Sequence, residues 1–260
     1  MEDAWNLERE RVSAVPKDMR QELNRRVIVA ADCGNRQEAL ALAGTLAGSG
    51  CWLKIGLELF TACGPSILNE IKEFGFSVFL DLKLHDIPNT VERTVKVLAR
   101  QGAELISVHC SGGYEMMARA AAAARAVRAA GSSQAGASGR DAQVIGVTVL
   151  TSLTEAGLQA ELGVQRRLEE HVVHLARLAQ QAGLDGVVAS AREAALLRAV
   201  CGPQFVLVTP GIRAGAVAGD DQARTCSPRE ALAAGSSYLV IGRPITAAAD
   251  PRAALTGLWD

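Results

Sequence analysis

Residues 76–90 read FSVFLDLKLHDIPNT. The stretch opens as an apolar run, then releases Asp81, Lys83, His85 and Asp86 within six residues and meets a proline. Side chains alternate across a strand. Over Phe79–Leu84, Asp81 and Lys83 therefore share one face, and Leu80, Leu82 and Leu84 the other. Leucines against helices, with charges towards the open end of a barrel, fit a strand whose C-terminal end carries chemistry.

Seven further runs of the same kind flank it: RVIVAAD (26–32), CWLKIGL (51–57), LISVHC (105–110), QVIGVTVL (143–150), GVVAS (186–190), FVLVTPG (205–211) and YLVIGRPI (238–245). Amphipathic helical segments such as RQEALALAGTLAGSG and AREAALLRAV separate them. Eight strands alternating with helices in a chain of 260 residues predict a single-domain α/β fold, the closed parallel (β/α)8 TIM barrel. A doubly wound open sheet is the alternative, but the glycine-rich fingerprint that should follow its first strand is missing. The barrel is expected over residues 26–260, with residues 1–25 a frayed or helical extension. The low-complexity stretch GSSQAGASGRDA (131–142) reads as a surface insertion between a helix and the fifth strand.

Composition narrows the function. An apolar content of 49% fills a sizeable core. A net charge of -1 with scattered Lys and Arg gives no basic stripe for nucleic acid. The charged N-terminus lacks the apolar stretch of a signal peptide, and no later run approaches a membrane span, so a soluble cytoplasmic protein is expected. The six cysteines include no CxxC pair and read as core filling rather than as zinc ligands or disulfides.

The barrel directs attention to the strand ends. Lys54 ends the second strand and Asp32 the first, so two cations and two anions, with Asp81 and Lys83, converge on one mouth. Any one of these charges is more simply a solvated strand end, but four at matching positions are not. Asp86, two residues past its strand, faces either the same site or a neighbouring subunit. His85 reads as a structural hydrogen-bonding residue. His109 either lines the site or supports it by packing, and His171 and His174 read as helix-surface residues.

The loops after strands seven and eight are the usual phosphate cradle of such a barrel. Here they are TPGIRAGAVAGDDQARTCSP and IGRPIT. Gly211 and Gly242 let backbone amides approach an anion, and Gln222 and Arg243 supply side-chain donors. Arg213 adds charge or tethers the loop. Segment 212–226, with Gly215 and Gly219, is long enough to close over a ligand as a lid.

These motifs, taken in order (KIGLELF, FLDLKLHDIPNT, VHCSGG, VTVLTSL, TPGIR, GDDQARTCSP and IGRPIT), resemble the orotidine 5'-phosphate decarboxylase family from VIVAAD to GRPIT. The resemblance implies a homodimer without metal or cofactor that converts orotidine 5'-monophosphate to UMP and carbon dioxide, the last step of de novo pyrimidine synthesis. On this chain it implies a charged network of Lys54, Asp81, Lys83 and, across the interface, Asp86. Asp32 and Lys54 would hold the ribose with Thr90 of the partner subunit. Thr151 or Ser152 would meet the pyrimidine, while Gln222, Arg243 and the amides from Gly211 to Arg213 would meet the phosphate. Ala31 departs from the family pattern, where leucine is usual, as does the insertion at 131–142.

Two other readings compete. Magnesium-dependent sugar-phosphate enzymes on the same barrel share the Asp-x-Lys-x-x-Asp pattern, but carry a carboxylate where this chain has Lys54, and a cation there opposes a bound metal. A silent nucleotide-phosphate binder would have no use for the pairing of Lys83 with Asp81.

Overall fold

The computed structural model describes residues 16–131, 141–213 and 226–259. Eight parallel strands close on themselves in chain order, β1 (Val27–Ala30), β2 (Trp52–Gly56), β3 (Val78–Leu84), β4 (Leu105–His109), β5 (Gln143–Val147), β6 (Gly186–Val188), β7 (Val206–Thr209) and β8 (Tyr238–Ile241), and β8 pairs with β1. This is the expected (β/α)8 barrel. Each expected run contains its strand, but several ran too far: β5 stops at Val147, not at 150, and β8 at Ile241, not at 245. The residues past each strand leave the ladder to build the mouth.

Strands buried on both faces need apolar residues on both, and here they form two separate cores. The outer one packs the strands against the helices and includes Val29, Leu53, Leu80, Ile106 and Val144. The inner one, Ile28, Trp52, Phe79, Leu105, Ile145, Val208 and Tyr238, plugs the barrel, with the Trp52 and Tyr238 rings 5.1 Å apart. Two residues further along their strands, on the same inward face, stand Lys54, Asp81 and Ser107. The alternation that makes the plug apolar thus sets a polar layer directly above it.

The opposite rim is stitched by a recurring device. Glu104, just before β4, donates its N–H to the Val78 carbonyl, while its carboxylate accepts the Val78 N–H at 2.8 Å. Asp185 does the same with Val144 before β6, and Ser237 with Leu207 before β8. At the first pair of strands the chain ends take over. Trp259, wholly buried, donates Nε1 to Asn24 Oδ1 at 2.8 Å, and Asn24, the last residue of the Lys17–Asn24 helix, donates to the Ser49 carbonyl.

Burial raises the Asp185 carboxyl above its ordinary range, and the Val144 N–H and the charges of Arg128 and Arg125 only partly oppose it. A folded pKa above the unfolded one means that the ionised form costs stability. That cost is complete above the folded pKa and disappears once pH falls below the unfolded value, near 4. Asp185→Asn keeps an oxygen for the Val144 N–H and removes the charge. It should raise Tm at pH 7 by roughly 1–3 °C, with the difference closing below about pH 4. Thermal melts at both pH values check this, and a lower Tm at pH 7 would show that the charge is needed.

Six free thiols are present. Burial pushes Cys51 up to about 11 and Cys110 up to about 12, as expected of thiols that pack as small apolar groups. Among the described residues no helix is long and apolar enough to cross a membrane.

Candidate active site

The four charges expected at the strand ends meet in one chain of ion pairs. Lys54 Nζ lies 3.0 Å from Asp32 Oδ1 and 3.7 Å from Asp81 Oδ2, and Lys83 Nζ lies 2.8 Å from the same Asp81 oxygen. Anion, cation, anion and cation alternate along it. The interior members are the more sheltered: side-chain exposure is 11% for Asp81 and 12% for Lys54, against 31% for Lys83 and 62% for Asp32. Gly56 makes room for the Lys54 ammonium, because a Cβ there would sit 3.1 Å from Nζ.

Plain alternation is not what brings Lys83 to Asp81. The ladder between β3 and β4 slips, with Leu80 paired to Ile106 but Leu84 to Val108. Asp81, Leu82 and Lys83 therefore stand opposite the single Ser107. Lys83 adopts φ 51°, alone among the described non-glycine residues in the left-handed region, and such conformations concentrate at functional sites. Ser107, fully buried, accepts the Lys83 N–H at 2.8 Å and donates to Asp81 Oδ1 at 2.9 Å. The sequence reading overlooked Ser107, although alternation from Leu105 to His109 sets it on the inward face.

Asp86 lies outside this chain. It is exposed, accepts the neighbouring Ile87 N–H, and forms no ion pair with any described residue. Thr90, in the first turn of the Pro88–Arg100 helix, is also exposed. His85, expected to be a hydrogen-bonding residue, is exposed and contacts the His109 ring instead, at 5.5 Å between centroids. Burial first, then His85 and Lys83, hold His109 below its ordinary pKa, which favours its neutral form beside the charged network.

Thr151 and Ser152 are both exposed in the turn after β5, which ends too early for strand alternation to choose between them. On the phosphate side, Gly211 has φ 78° and Arg213 is buried. Gly242 immediately precedes the short Arg243–Thr246 helix, and a Cβ on it would come 3.8 Å from Asp32 Oδ2, so the end of β8 adjoins the ion-pair chain. Ile212 bridges to Cys226, and the Arg213 N–H bonds the Cys226 carbonyl at 3.1 Å. The expected lid thus leaves and rejoins the barrel at one point, while residues 214–225, Gln222 among them, lie outside the described residues, as do residues 132–140 of the insertion.

This arrangement can oppose a substrate anion with Asp81 and offer two ammonium groups to developing negative charge. A metal in the same place would have to displace Lys54, whose ammonium already answers both carboxylates.

A family model described as "Orotidine 5'-phosphate decarboxylase / HUMPS family" matches residues 25–258. A protein named orotidine 5'-phosphate decarboxylase from Moorella thermoacetica is 49% identical over 230 residues, 88% of each chain. One of the same name from Neisseria gonorrhoeae is 52% identical over 231 residues, covering 88% of this chain and 89% of its own. The crystal structure of orotidine 5'-phosphate decarboxylase from Lactobacillus acidophilus superposes with a TM-score of 0.77 at 36% identity, over 89% of this chain and 96% of that one. A (β/α)8 barrel matched by this family model over residues 25–258, and by relatives at this identity over most of its length, is a member of the orotidine 5'-phosphate decarboxylase family.

Proposed function

We propose that this chain decarboxylates orotidine 5'-monophosphate to UMP, the last step of de novo pyrimidine synthesis, using its own side chains and no cofactor. The Asp32–Lys54–Asp81–Lys83 chain of ion pairs at 3.0, 3.7 and 2.8 Å carries this reading. Loss of carbon dioxide leaves an electron pair on carbon six of the ring, with no electron sink to receive it. Lys83 faces that charge, stabilises it and delivers the proton that replaces the carboxylate. Asp81 sits against the substrate carboxylate. At about 4 Å and an effective dielectric near 20, the two anions repel by at most roughly 4 kcal/mol, which the flanking lysines reduce. That repulsion is a minor part of a stabilisation on the order of 20 kcal/mol.

The remaining roles are assigned by motif and position. Asp32 and Lys54 hold the ribose hydroxyls, Thr151 or Ser152 meets the pyrimidine, and Gly211, Arg213, Gln222, Gly242 and Arg243 take the phosphate. Asp86 and Thr90 of the partner subunit complete the site in a homodimer. Support for the dimer comes from Ile87, next to Asp86 in the chain, a large apolar side chain that is 66% exposed. Six unpaired thiols fit a reducing compartment, and we place the enzyme in the cytoplasm.

The purified protein mixed with orotidine 5'-monophosphate should give the absorbance fall of conversion to UMP, at the same rate with and without a chelator. Absence of both turnover and tight binding would transfer the assignment to the magnesium-dependent sugar-phosphate enzymes. Tight binding without turnover would make the chain a silent binder.

A further inference from the structure

The slip in the β3–β4 ladder removes the backbone partner that Lys83 would have in a regular strand. The Ser107 hydroxyl stands in for that partner at 2.8 Å. An amide N–H can only donate, so the hydroxyl must accept there, and its single proton is left for Asp81 Oδ1 at 2.9 Å. With Oδ1 held in this way, Oδ2 is the oxygen that faces both ammonium groups. One atom therefore fixes the left-handed backbone that presents Lys83 and the direction of the carboxylate that Lys83 meets.

We infer that Ser107 is a positioning residue for decarboxylation, acting through Lys83 and Asp81 without touching the substrate. The inference rests on the reading of Lys83 as the group that serves the reaction. Removing the hydroxyl of the fully buried Ser107 leaves the part-buried Lys83 N–H and one oxygen of the buried Asp81 without their partner. Displacement of a reacting group by about 1 Å is enough to cost ~100-fold.

Four proteins test it: wild type, Ser107→Ala, Ser107→Thr and Lys83→Ala, each compared for kcat, KM, UMP affinity and Tm. Ser107→Ala should lose about 100-fold in kcat, while KM and the Kd for UMP stay within about threefold. Ser107→Thr, which keeps the hydroxyl, should recover to within about tenfold of wild type. Wild-type kcat in Ser107→Ala overturns the inference. So does a parallel loss of kcat and UMP affinity, which would mark a packing role, and so does a folded threonine variant no more active than the alanine one. If the threonine variant does not fold, the alanine variant decides alone. Turnover retained by Lys83→Ala would instead overturn the reading of Lys83 itself.

Discussion

Lys83→Ala should abolish turnover and leave nucleotide binding in place. The expected fall in kcat is about 10⁴-fold or more, because in the proposed role of Lys83 the change removes both the charge that answers the carbanion and the proton that quenches it. UMP carries no carboxylate at carbon six, and in the proposed site its phosphate and ribose hold it, so its Kd should change by less than about tenfold. The fold should also tolerate the change. Asp81 keeps the Lys54 ammonium at 3.7 Å and the Ser107 hydroxyl at 2.9 Å, so no buried anion is left alone. Single-turnover kinetics and a UMP titration separate the two effects. Residual activity within about 100-fold of wild type would remove Lys83 as proton donor and move the assignment to another group at the mouth.

The second large effect is a gain. Asp86→Ala and Lys83→Ala should each be nearly inactive alone, and an equal mixture allowed to exchange subunits should recover about one quarter of wild-type activity. Random pairing makes half of the dimers mixed, and each of these has one site with both residues intact and one with neither. The expectation rests on Asp86 being exposed, without an ion pair to any described residue, next to an Ile87 side chain open to solvent. Beyond accepting the Ile87 N–H, such an anion has no charged partner among the described residues of its own chain. No recovery after verified subunit exchange would show that each site is built from one chain.

Much of this was legible in the sequence because it depends on local patterning. Eight runs of β-branched and apolar residues at barrel spacing marked the strands, and four charges at strand ends marked the mouth. What stayed hidden depends on contacts between strands. The meeting of Asp81 and Lys83 was read from alternation in a regular strand, whereas Lys83 reaches Asp81 through a slipped ladder and a left-handed backbone. Ser107 is 26 residues from Asp81, and only the register of β4 against β3 brings the two together. The surroundings of His85 are hidden for the same reason, since its companion is the His109 ring at the end of another strand.

The plug of Trp52, Phe79, Tyr238 and their neighbours gives the barrel a floor. The site is therefore closed from below and opens at the mouth of the barrel. Substrate, water and the carbon dioxide of the proposed reaction all pass through the same opening, the one edged by the ends of β7 and β8 and by the neck at Ile212 and Cys226. Traffic through that mouth imposes an order. In the proposed reaction the gas has to escape past the nucleotide or follow it out, so departure and entry share one rim.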